Sequence, residues 1–258
     1  MFELDKWYLD VVTEAGAVLI GYAIHCRFGA ASFRYASLLQ SAPDQPATDR
    51  ATLRGTTFPL LEGDHLRWHL PRLRFDGSWH RLGAPVEQTL LDDERGRIEW
   101  RCLLPRARVT ARLDDTIVAG MGYAERLHVT LPLWHLPFST LRWGRYATTE
   151  RGLVWIEWSD GLERRWAWSG GREEPSARVE GSGVAGLADG GELRFEDRRV
   201  LRDWQVLESA GRILPDALRT RLGPIARLRE QKWLSRGTLR QGDRIVDHGW
   251  AIHEEVRW

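Results

Sequence analysis

The sequence predicts an all-β protein built from two antiparallel sheets or barrels in tandem, and three observations carry that reading. Short segments alternating apolar and polar residues, rich in β-branched and aromatic side chains, recur along the chain between Gly, Asp and Pro turn signals. Helix punctuation occurs in one place, where Pro215 and Asp216 open a short helix over 215–222 and Gly223-Pro224 stops it. With 258 residues, the chain can bury one large β core or two smaller ones.

The strands follow in order. Residues 7–12 and 17–28 form a first hairpin, 32–39 a third strand, and 41–50, with two prolines and two aspartates, a polar loop. Residues 65–70 alternate, 73–75 and 78–82 flank an Asp76-Gly77 turn, and 86–91 and 97–104 flank a turn at 92–96. After 107–113 and 117–131, the proline-rich 132–137 breaks the pattern, giving an N-terminal domain of 1–131 and a C-terminal domain of 132–258. Beyond it, 141–147, 152–158 and 162–168 read as a meander in which Trp158 and Trp168 meet. The glycine-rich 181–191 reads as an exposed hairpin tip, and 232–240 with 244–258 as a closing hairpin.

Composition excludes several functions. The formal net charge is +1 and the charges are dispersed, so neither nucleic acid nor an anionic membrane is an expected partner. Lys6 and Lys232 are the only lysines among 37 basic residues, an arginine bias that points to a GC-rich bacterial source. The acidic N-terminus and the short apolar run 15–24 predict a cytoplasmic protein without membrane insertion. Cys26 and Cys102 are too few for a disulfide framework. His65 and His69, four apart in a strand, stand roughly 13 Å from each other, so no metal and no cofactor is expected. The fourteen tryptophans either line a ligand cavity or pack the interior.

The chemistry centres on Gly120-Met121-Gly122-Tyr123-Ala124-Glu125 and on Trp143-Gly144-Arg145. Two glycines around one residue permit close backbone approach or a kink, and Tyr123 and Glu125, two apart, share one face of a strand. A phosphate-binding glycine loop needs a following helix and a third glycine, which this stretch lacks. A Glu withdrawn from water favours its acid form and can protonate a double bond or carbonyl, while indole faces stabilise a developing cation. Glu125 and Tyr123 are therefore the catalytic candidates, and Trp143, Arg145, Trp7, Trp134 and His128 the ligand-binding ones. The alternative is a structural Glu125–arginine pair in a non-catalytic binder or carrier of hydrophobic ligands.

Trp7-Tyr8-x-Asp10, Gly120-x-Gly122-Tyr123-x-Glu125 and Trp143-Gly144-Arg145 are similar, in kind and order, to the signature of the carotenoid 1,2-hydratase and tocopherol-cyclase-like superfamily. That superfamily includes hydroxyneurosporene synthase and the AttH-like proteins. The resemblance implies two lipocalin-like β-barrel domains with an apolar ligand near their junction, and relatives that hydrate, cyclise or fold terpenoid and polyketide substrates. It places Glu125 at the family's acidic position, Tyr123 at its tyrosine, and Trp143 and Arg145 at its Trp-x-Arg pair.

Overall fold

The structure, a computed structural model, describes residues 2–188, 190–205 and 228–258; the helix expected over 215–222 lies outside them. About 74% of the described residues are strand and 3% helix, the latter as 3-10 turns at Pro71–Leu73 and Leu133–His135. The all-β reading holds. The chain divides into two compact units, Met1–Pro132 and Leu133–Trp258.

Unit 1 contains β1 (Phe2–Val12), β2 (Val18–Phe28), β3 (Ala31–Ala42), β4 (Gln45–Thr52), β5 (Leu60–Glu62), β6 (His65–Leu70), β7 (Phe75–Arg81), β8 (Val86–Asp93), β9 (Gly96–Leu113) and β10 (Thr116–Val129). Their order is β4-β3-β2-β1-β10-β9-β7-β6-β5, with β8 paired to β9. Strand alternation sends Leu9, Val11, Leu38, Trp68, Phe75, Trp79 and Val109 into one buried cluster. The indoles of Trp68 and Trp79 occupy its centre, over Gly21 and Gly77, where any Cβ would collide with the rings.

Unit 2 repeats the plan. Its strands are β11 (Phe138–Ala147), β12 (Gly152–Gly161), β13 (Arg164–Ser169), β14 (Arg172–Glu173), β15 (Arg178–Glu180), β16 (Gly183–Ala185), β17 (Gly191–Gln205), β18 (Arg229–Gln241) and β19 (Arg244–Arg257). The order β14-β13-β12-β11-β19-β18-β17-β16-β15 matches unit 1 position for position, so β1 corresponds to β11, β10 to β19 and β9 to β18. Its cluster gathers Tyr146, Leu153, Trp155, Leu193, Leu239 and Ala251.

Several local expectations are corrected. The polar loop at 41–50 is mostly the exposed edge strand β4, whose charged and polar side chains suit a sheet edge. Asp76-Gly77 lies inside β7. The turn comes earlier, where Pro71 opens a 3-10 turn that Arg74 ends with a φ of 51°. Residues 97–104 and 107–113 belong to the single strand β9. Pro105 is accommodated where the register against β10 skips from Leu104 to Ala107, a bulge at which the ladder does not require an N–H. Trp158 meets Trp166 edge-on at 5.0 Å, not Trp168. Trp158 faces Arg164 across the hairpin, which makes Trp166 its diagonal neighbour. The glycine-rich 181–191 also reaches inward, since Val184 and Leu187 join the unit 2 cluster.

Candidate functional site

The glycines of the central motif lie in β10 against β1. A Cβ at Gly122 would strike the Asp10 carbonyl oxygen and one at Gly120 the Val12 carbonyl oxygen, so the motif exists for close strand approach. The ladder pairs Tyr8 with Glu125 and Asp10 with Tyr123. Leu9, Val11 and Ala124 enter the apolar cluster, so the alternate residues Tyr8, Asp10, Tyr123 and Glu125 occupy the opposite face of the same sheet. That face is buried too: Tyr123 and Asp10 are 0% exposed and Glu125 7%.

Glu125 Oε2 accepts the Tyr123 hydroxyl at 2.7 Å and the indole Nε1–H of Trp100, on β9, at 2.5 Å. Cys102, directly opposite Glu125 in the β9–β10 register, has its thiol hydrogen-bonded to the Tyr123 phenol. Tyr8 packs edge-on against Tyr123 at 6.0 Å and against Tyr22 at 5.4 Å, and the Lys6 ammonium sits over the Tyr22 ring at 5.4 Å. Burial holds the Tyr123 phenol well above its ordinary pKa, reinforced by Cys102 and Glu125. Burial likewise pushes the Cys102 thiol far up. Both groups therefore stay protonated, and Tyr123 acts as a hydrogen-bond donor. The half-buried Cys26 thiol is raised to about 11 by burial.

The other predicted residues are distributed as follows. Trp7 packs against the unit 1 cluster beneath the Arg126 guanidinium, 5.8 Å from its ring, and so lies across the sheet from Glu125. His128, three residues beyond Glu125, shares that other face and approaches Asp5 at 3.4 Å. Trp134 lies in the 3-10 turn of unit 2, edge-on to His135 at 6.0 Å. Trp143 and Arg145 are buried on β11, and Arg145 donates to the Trp250 carbonyl at 2.9 Å. Gly144 between them leaves room for the Trp155 indole. Trp100 and Cys102 were not among the predicted residues, and only strand register brings them to Glu125.

Unit 2 carries a counterpart. Trp143 pairs with Glu254 as Tyr8 pairs with Glu125, and Lys232 stands where Cys102 stands. The fully buried Lys232 bonds to Glu254, lies 3.4 Å from Glu230, and is 5.6 Å from the Trp143 ring centre. On the cluster side of the same sheet, His253 is stacked between Phe195 at 4.3 Å and Trp233 at 5.3 Å, with Nε2 2.9 Å from the Ser235 hydroxyl.

Among the described residues, Glu3, Asp5 and His128 bring three possible ligand atoms within 4.8 Å of one another. Strand pairing assembles this trio, which spacing along the chain does not reveal. Arg126 already donates twice to Asp5, at 3.0 and 2.7 Å, and Arg27 bonds to Glu3, so guanidinium groups supply the positive charge there.

No family model and no curated protein matches the sequence. Solved structures do match the whole chain. An AttH assignment from Nitrosomonas europaea is similar at TM-score 0.56 and 10% identity, over 99% of this chain and 92% of that one. CghA, solved with Sch210972, is similar at 0.54 and 11%, over 99% and 88%. Kievitone hydratase from Nectria haematococca is similar at 0.52 and 13%, over 98% and 88%. The chain thus shares the two-domain, lipocalin-like fold of an AttH-like protein and of two proteins whose sequences are otherwise far from its own. Among the described residues no helix is long and apolar enough to cross a membrane.

Proposed function

We propose that the protein binds an apolar small molecule of isoprenoid, polyketide or lipid type and acts on it by acid-assisted hydration, cyclisation or isomerisation, with Glu125 as the acid and Tyr123 as its donor partner. The observation that carries this reading is the Trp100–Glu125–Tyr123 cluster, a carboxyl group held by two neutral donors on a buried face lined with three tyrosines. A carboxyl so placed can deliver a proton to an alkene or carbonyl, with the phenol hydrogen-bonded to the carboxylate left behind, while the aromatic faces steady a developing cation. One of the solved structures sharing the fold is named a hydratase, which supports the reaction class.

The test is incubation of the chain with a panel of isoprenoid, polyketide and fatty polyenes in ¹⁸O-labelled water, followed by mass spectrometry. A product heavier by one labelled water, or an isomer of unchanged mass, is expected. Its formation should fall roughly a hundredfold in Glu125→Gln with ligand affinity little changed, because proton transfer contributes only in the transition state. Unchanged turnover in folded Glu125→Gln removes Glu125 from the mechanism.

A non-catalytic carrier is the second reading, favoured by the same two donors. They hold the Glu125 carboxyl in place, where it would serve as a hydrogen-bond acceptor for a ligand hydroxyl. Saturable binding without turnover, weakened in Glu125→Gln, would establish it.

A further inference from the structure

We propose that Trp100 is a positioning residue for Glu125 and that, together with Tyr123, it decides which carboxyl oxygen carries the proton. The inference rests on the acid role of Glu125 proposed above. A carboxyl oxygen has two in-plane lone pairs, and on Oε2 both are taken, one by the Trp100 indole N–H at 2.5 Å and one by the Tyr123 hydroxyl at 2.7 Å. Any proton on Glu125 therefore sits on Oε1.

The donors come from different strands, Trp100 from β9 and Tyr123 from β10, so together they fix the plane of the carboxyl. Trp100 reaches Glu125 diagonally: its ladder partner is Leu127, and that of Glu125 is Cys102. With Trp100 2% exposed, water does not compete for the bond. An indole nitrogen only donates, so Trp100 cannot relay a proton and its action on any substrate passes through Glu125. Tyr123 can both donate and accept, which separates the two neighbours by role.

Infrared difference spectroscopy on the full chain tests this without a substrate. Subtracting the Glu125→Gln spectrum defines the Glu125 carboxyl band. Trp100→Phe keeps an aromatic ring and deletes the N–H, and it is expected to shift that band. Trp68→Phe alters an equally buried indole whose N–H bonds instead to the Thr57 carbonyl, and it should leave the band in place. A Glu125 band unmoved in folded Trp100→Phe overturns the proposal.

Should Trp100→Phe fail to fold, ¹⁵N-tryptophan labelling of the chain decides. One indole N–H resonance is expected to move in both Glu125→Gln and Tyr123→Phe, because the three groups share Oε2, and the absence of such a shared response overturns the proposal. Both readouts are independent of turnover, so a chain without activity would defeat the acid role while the placement of Trp100 stands or falls by spectroscopy. Once a turnover is in hand, Trp100→Phe should lower kcat by roughly tenfold to a hundredfold with KM held, the pattern of a misaligned reacting group.

Discussion

Glu125 and Glu254 occupy equivalent places in two sheets of identical strand order, each facing an aromatic residue on the first strand of its unit. Their third neighbours differ. Across the ladder from Glu125 stands a thiol, and the carboxyl takes its bonds from a phenol and an indole; across from Glu254 stands Lys232, whose ammonium bonds directly to it. One backbone position thus supports two kinds of chemistry. A carboxylate bonded to a buried ammonium is committed to its ion and breaks badly, whereas one held by a phenol and an indole loses only hydrogen bonds when it is changed.

The sharpest way to break this comparison is to make the same edit twice. Glu254→Gln takes from the buried Lys232 the carboxylate it bonds, leaving Glu230 at 3.4 Å, and should lower stability by about 3–5 kcal/mol. Glu125→Gln retains an acceptor for both neutral donors and should lower it by about 1 kcal/mol. Urea unfolding of both variants measures the gap, and equal losses would erase the distinction between the units.

Acid sharpens it next. His253 is pushed down to about 3, first by burial and then by the Arg198 and Lys232 charges. The folded imidazole stays neutral while the unfolded chain takes up a proton near 6.5. Its stabilising contribution is therefore complete above that pH and drains away as pH falls toward about 3. Acidification from 6.5 to about 4.5 should remove on the order of 2–3 kcal/mol from unit 2. Denaturant titrations across that range should show the slope in the wild type and a flatter one in His253→Phe.

A smaller effect belongs to unit 1. Gly122→Ala forces a methyl against the Asp10 carbonyl, and should destabilise by about 1–3 kcal/mol as β1 and β10 separate. The Tyr123 environment should change with it, visible in near-ultraviolet circular dichroism. Smallest of all is Arg194→Ala, which removes an exposed pair with Glu192 and should leave the urea midpoint where it was.

Much of the fold was legible in the chain because alternation and turn residues are local signals. The strands β6 and β10, for example, stand close to where apolar periodicity places them. Misreadings fell where a local turn signal met tertiary packing. Asp76-Gly77 has the composition of a turn, yet Gly77 lies beneath the Trp79 and Phe75 rings in mid-strand. Pro105 should have ended a strand, yet a bulge absorbed it. Of the candidate site, the Tyr123–Glu125 contact was visible as two residues of equal parity in one strand.

Parity is where the sequence's own authority ends. By itself the sequence determined an all-β chain, the shared face of Tyr123 and Glu125, and the glycines that let β10 approach β1. The structure sets Trp7 and His128, which the sequence grouped with Glu125, on the other face of the sheet. Only the tertiary structure decided which residues of other strands meet Tyr123 and Glu125. Register between strands brings Trp100 and Cys102 to Glu125, and Lys232 to Glu254, from 23 to 25 residues away in one unit and 22 in the other. Register is set by bulges and by the packing of a whole sheet face, and a slip of one residue would have turned every one of these side chains away.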